Sequence, residues 1–145
     1  MSFSVDVNIL LYASDNVSEY HERAADFLRN VAEGDEVCYL AWSTLMSYLR
    51  IATHPSIFLS PLSPFEAHAN VDSLLARPYI RCVSEDERFW PTYSAISTQT
   101  PLRGNLVPDA HLAAVLKIHG IRTLYTHDRD FAKFAFLRIV DPVMA

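Results

Sequence analysis

Five short apolar runs punctuate this chain, and nothing between them can form a tight hairpin. Phe3 to Val5, Val37 to Leu40, Tyr79 to Val83, Thr123 to Tyr125 and Leu137 to Val140 read as strands. No Asn-Gly or Asp-Gly dipeptide joins one to the next, and helical periodicity fills most of the intervals. Strands that cannot turn straight back must be linked by crossovers. The expected fold is therefore α/β: one domain over residues 1–145, with a mainly parallel sheet of about five strands covered on both faces by helices.

The helical intervals carry their own punctuation. After the first strand, Val7, Ile9, Leu10, Leu11 and Tyr12 predict a turn of helix around Asn8, with Asp6 at the junction. Ala24, Phe27, Leu28 and Val31 predict a helix from about Ser18 to Ala32, stopped by a left-handed Gly34. Ser43 to Ala52 has helical spacing and must end before Pro55. Ser63, Pro64 and Glu66 form a capping box with proline at the first helical position, opening a helix to about Ala76. Ser84 and Glu87 repeat the box spacing, but Pro91 lies too deep for an unbent helix from there, so that helix either kinks or starts nearer Arg88. A last helix opens at Asp109, runs through Leu112, Ala113, Val115 and Leu116, and closes at Gly120.

With 145 residues, half of them hydrophobic, the chain can bury one core but hardly two. No signal-peptide pattern opens it, and no apolar stretch approaches a bilayer's width, so a cytoplasmic protein is expected. Cys38 and Cys82 each lie in a β-rich apolar run and are expected to stay free thiols. The net charge of −5 offers no general attraction to nucleic acid, yet it is unevenly spread. Arg103, Lys117, Arg122, Arg129, Lys133 and Arg138 all fall in the C-terminal third, where acids are fewer, so a polyanion is expected to meet that third.

Ligands of parallel sheets bind beyond the carboxyl ends of the strands, so acids at strand ends carry the functional reading. Three stand out: Asp6 after the first strand, Asp109 at the opening of the last helix, and Asp128 after the fourth strand. One aspartate at such a place is an ordinary helix cap or turn residue. Three converging form an all-oxygen site suited to Mg²⁺ or Mn²⁺, ions that serve phosphodiester chemistry.

The blocks Val5-Asp6-Val7-Asn8-Ile9-Leu10-Leu11-Tyr12, Pro108-Asp109-Ala110-His111-Leu112-Ala113-Ala114 and Thr126-His127-Asp128-Arg129-Asp130-Phe131 resemble, in order and spacing, the three signature blocks of VapC-type PIN domains. Trp42 to Pro55, with Leu49-Arg50-Ile51 and Thr53, and Pro61-Leu62-Ser63 are similar to the subgroup abundant in actinobacteria. The resemblance implies a Mg²⁺- or Mn²⁺-dependent endoribonuclease of a toxin-antitoxin pair that cleaves structured RNA, transfer or ribosomal. It implies a homodimer held inactive by a cognate antitoxin, whose arginine-bearing segment would enter the acidic crevice. The implied catalytic and metal-binding acids are Asp6, Asp109 and Asp128. Asp130 is read either as a further acid beside the ion or, the preferred reading, as the cap of a short helix anchored by Phe131. Thr126 and Asn8 are candidates to hydrogen-bond a carboxylate or a coordinating water, with strand-end packing the plain alternative for Thr126.

One departure from the family pattern stands out. Where many PIN domains carry a glutamate on the helix after the second strand, this chain reads Ser43-Thr44-Leu45-Met46-Ser47-Tyr48-Leu49-Arg50. Ser43 and Ser47 are expected to orient water or phosphate, and Arg50 to pair with an aspartate or with RNA. With one anionic ligand fewer, at most one tightly held ion is expected without RNA. His111 and His127 flank acids but are not expected to be ligands. Phe89, Trp90 and Tyr93 are expected in core or subunit contacts. Two other readings stay open: a PIN-fold RNA- or partner-binding module with weak or no turnover, and a metal-dependent phosphatase or phosphotransfer domain.

Overall fold

Leu124 and Tyr125 are chain neighbours packed into different cores, which is how a strand buried on both faces behaves. The computed structural model describes residues 2–144; Met1 and Ala145, the ends of the expected domain span, lie outside the described residues. The sheet comprises β1 (Ser2–Val5), β2 (Val37–Ala41), β3 (Ile80–Val83), β4 (Thr123–Tyr125) and β5 (Arg138–Val140). Their order is β3-β2-β1-β4-β5, and every pairing is parallel. The expected α/β class and covered sheet are both observed.

One face of the sheet is packed by α1 (Val7–Ser14), α2 (His21–Glu33), α3 (Trp42–Ala52) and α4 (Pro64–Leu75) around Phe3, Ile9, Leu40, Leu45 and Ile80. The other is packed by α5 (Phe89–Gln99), α6 (Leu106–Ile118) and a 3-10 turn, Arg129–Lys133, around Ile96, Leu116, Leu124 and Phe131. Helix α6 buries Ala110 and every residue from Leu112 to Leu116, so it is a core helix with only a narrow wet side. From β1 the chain steps outward to β2 and β3, then returns to the opposite side of β1 to lay down β4 and β5. The strand order thus reverses between β1 and β4, and their carboxyl ends open the crevice of a topological switch point.

Several boundaries moved for identifiable reasons. Helix α1 runs two turns rather than one, capped by the Asp6 carboxylate, which accepts from the Val7 N–H at 2.8 Å. Gly34 does not stop α2 in the left-handed region: its φ is −79°. Its use is steric, since a Cβ there would stand 3.0 Å from the Asn30 carbonyl oxygen. Helix α5 takes the second of its two expected forms and starts after Arg88, which leaves Pro91 in the first turn, where its missing N–H costs nothing. The same logic lets α6 begin at Leu106, three residues ahead of Asp109, with Pro108 in its first turn. The Ser63–Glu66 capping box is formed as expected. Both cysteines are free, and burial pushes the Cys38 thiol up to about 12. No helix among the described residues is long and apolar enough to cross a membrane.

Gly120 ends α6 with φ +70°, and an added Cβ would meet nothing within 4 Å, so its requirement is purely conformational. Gly120→Ala is expected to lower unfolding stability by about 1–2 kcal/mol and Gly120→Asn by about half of that, read from urea midpoints at unchanged m.

Candidate metal centre

The crevice is organised by one hydroxyl. Thr126 follows β4 directly, and its backbone N–H is tied to the Val140 carbonyl at 2.9 Å while that of Asp6 is tied to the Tyr125 carbonyl at 2.9 Å. These bonds fix the loop after each strand to its neighbour. The Thr126 Oγ1 donates its only proton to Asp6 Oδ2 at 2.8 Å. Its lone pairs accept from the Asp128 N–H at 3.0 Å and from Asn8 Nδ2 at 3.2 Å. That assignment also orients the Asn8 amide, whose Oδ1 is buried without a partner.

Asp6 is buried, 8% exposed, with Oδ1 held by Val7 and Oδ2 by Thr126. Burial raises its pKa, the two hydrogen bonds oppose that rise, and the nearby charge of Asp128 adds to it. Half-buried Asp109, at the start of α6, is pushed up to about 6, first by burial and then by the charges of Asp128, Asp6 and Asp130, with Lys133 opposing. One carboxylate oxygen each from Asp109, Asp128 and Asp130 lies within 4.8 Å of the others. Mutual repulsion of unneutralised oxygens, on an all-carboxylate donor set, is what a hard divalent cation relieves, so these residues fit Mg²⁺ or Mn²⁺.

This geometry redistributes the expected roles. Asp109 and Asp128 converge as expected, with Asp130 as the third close acid; Asp6 is buried nearby and joined to Asp128 through Thr126. Asp130 is not the cap of the short helix. Asp128 is, accepting the Asp130 N–H at 2.9 Å, which leaves the Asp130 carboxylate exposed beside the cluster. Thr126 bonds a carboxylate as expected, whereas Asn8 bonds the Thr126 hydroxyl and not a carboxylate. On α3, Ser43 and Ser47 are half-buried and Arg50 is exposed; among the described residues no side-chain hydrogen bond or ion pair joins them to the acids. Of the two partners expected for Arg50, an aspartate or RNA, the aspartate is absent among the described residues.

Neither flanking histidine belongs to the acidic cluster. His111 pairs with Glu85, and His127 Nδ1 pairs with Asp141 Oδ2 at 2.7 Å inside an aromatic group with Tyr12 and Tyr20. Asp141 went unread in the sequence although it directly follows β5, where the rule applied to β1 and β4 would have found it. Phe89 and Tyr93 pack on the second core as expected; Trp90 stacks on Tyr93 and remains 67% exposed.

Comparison with known proteins places this geometry in a family. Residues 4–137 match the PIN domain. The chain is 42% identical to Ribonuclease VapC48 of Mycobacterium tuberculosis, covering 98% of each chain, and 34% identical to VapC ribonuclease Mb2897 of Mycobacterium bovis, covering 96% of this chain and 94% of that one. In shape it is similar to the VapBC2 structure from Rickettsia felis bound to a promoter DNA fragment, with a TM-score of 0.70, 16% identity, and 97% and 98% of the two chains covered. It is also similar to Mycobacterium tuberculosis VapC20, described as a Sarcin-Ricin loop cleaving toxin, with a TM-score of 0.67, 16% identity, and 93% and 96% covered.

The raised Asp109 carboxyl has a signed consequence for stability. Because its folded pKa is about 6, above an ordinary 3.8, the metal-free fold gives up stability as pH rises through that interval. The shift would be worth roughly 3 kcal/mol unscreened, and about 1 kcal/mol for a half-exposed group. In chelator, Asp109→Asn is therefore expected to melt about 3 °C higher than wild type at pH 7.5, with most of the gain gone by about pH 4.

Proposed function

This chain belongs to the PIN-domain family, in its VapC group, and from that premise we propose that it is the toxin of a VapBC-type pair, an endoribonuclease dependent on Mg²⁺ or Mn²⁺. The observation that carries the reading is the set of three carboxylates at the switch point, backed by a buried fourth held through Thr126. Asp109, Asp128 and Asp130 would hold the ion, with Asp6 adding charge nearby. Such an ion supplies Lewis acidity toward a phosphodiester oxygen and lowers the pKa of a bound water.

The protein's own contribution is positional. Thr126 holds Asp6 and the Asp128 backbone in one arrangement, so the carboxylates need not reorganise when substrate arrives. Asn8 Oδ1, a buried acceptor without a protein partner, is available to a water at the inner side of the site. With Ser47 on the helix where many PIN domains carry a glutamate, one anionic ligand fewer is available and a single tight ion is proposed for the free protein. Structured RNA, transfer or ribosomal, is the proposed substrate. An antitoxin with an arginine-bearing segment is the proposed inhibitor, since a guanidinium matches the same carboxylates. A second copy is the proposed partner for exposed Trp42, Met46 and Trp90.

The test is incubation of the purified protein, free of antitoxin, with total RNA in Mg²⁺ or Mn²⁺, beside Asp6→Asn and Asp109→Asn. Defined fragments are expected with metal, none with chelator, and a loss of about a hundredfold or more in either variant. No cleavage from a folded protein would transfer the reading to a non-catalytic RNA- or partner-binding module. Hydrolysis of small phosphoesters with RNA left whole would indicate a phosphatase instead.

A further inference from the structure

The cations of the C-terminal third are largely unneutralised. Among the described residues, carboxylates pair with Arg29, Arg88, His111 and His127, and none pairs with exposed Lys117, Arg122 or Lys133. Lys117, in the last turn of α6, carries its ammonium 4.7 Å above the centre of the half-buried Phe136 ring. Two cavities, of about 490 and 280 Å³, adjoin there and share Lys117, Ala135 and Phe136 in their walls. Arg122 lines the first and Lys133 the second. Lys133 also closes the 3-10 turn that Asp128 caps, and its charge is felt at Asp109. The two cavities thus form one groove at the last turn of α6, beside the segment that leads into β4, and Lys133 at its edge belongs to the same 3-10 turn as Asp130.

We infer that this groove carries a single strand of RNA leading away from the cleaved bond, with Lys133, Lys117 and Arg122 meeting phosphates and the Phe136 ring stacking a base. The inference rests on the nuclease reading for what happens at the acids, but the groove's affinity for RNA does not require cleavage. Two features favour a nucleic acid strand over an acidic protein surface. A cation set against an aromatic ring matches the alternation of phosphate and base, whereas acidic side chains have no use for the ring. Moreover, a chain of net charge −5 repels a polyanion over much of its surface, which favours entry where exposed cations are not paired with carboxylates.

The experiment is fluorescence anisotropy of a labelled, unstructured RNA oligonucleotide against the full chain in chelator, over a range of salt. Lys117→Gln, Arg122→Gln, Lys133→Gln and Phe136→Leu are compared with wild type after thermal melts confirm folding. Each lost charge is expected to weaken binding roughly three- to tenfold near 0.1 M salt and to reduce the salt slope by about one. Phe136→Leu keeps an apolar contact to Phe134, and it is expected to weaken binding about fivefold or more with the slope unchanged. Wild-type affinity and slope in all four variants would overturn the inference even if the protein cleaves RNA. So would failure of wild type to bind RNA with the variants altering mass in solution, which would assign the groove to a protein contact. RNA bound through the groove but never cut, with metal supplied, would support this inference while sinking the nuclease reading.

Discussion

Carboxylates gathered at one seam of a sheet repel one another, and the rest of this structure is arranged to withstand that repulsion. Two full charges 4.8 Å apart repel by roughly 3 kcal/mol at an effective dielectric of 20. Asp109, Asp128 and Asp130 stand at this separation or closer, with Asp6 nearby. Each is carried by an element it cannot leave. Asp109 is on α6, which buries Leu112 to Leu116; Asp128 caps, and Asp130 lies within, a turn anchored by fully buried Phe131; Asp6 joins β1 to α1. The apolar packing on both faces of the sheet offsets what the acids cost, so the metal-free site is held under electrostatic tension rather than collapsed.

The brace across the seam is a neutral hydroxyl. An arginine or lysine in place of Thr126 would relieve the repulsion, but it would also occupy the place of a cation. A threonine orients without neutralising: one proton to Asp6, two lone pairs to Asn8 and the Asp128 backbone. The site thereby keeps its appetite for positive charge, which a metal ion or an inhibitor's guanidinium could satisfy. Lys133 is a fixed cation that acts on Asp109, and it lines the groove.

Charge is thus sorted on two scales. Locally, acids converge at the carboxyl ends of β1 and β4; more broadly, cations collect on the flank formed by α6 and the segment from the 3-10 turn to Phe136. A polyanion would be repelled by most of the surface and drawn to that flank.

The sequence by itself determined the class of fold, the five strands, the capping box of α4 and three of the four acids, because these follow from local physics: period, punctuation and placement at strand ends. It also marked the basic third. What it could not decide was which acids face one another. Asp128 and Asp130 are two residues apart, and only the turn beginning at Thr126 determines which of them caps and which points to the cluster. Nor could it show Asp6 held by the Thr126 hydroxyl, Gly34 retained for a steric reason, or Lys117 placed over Phe136. Those outcomes join residues up to 120 positions apart, and a contact at that separation is set by how the sheet registers and the helices pack, not by any local pattern.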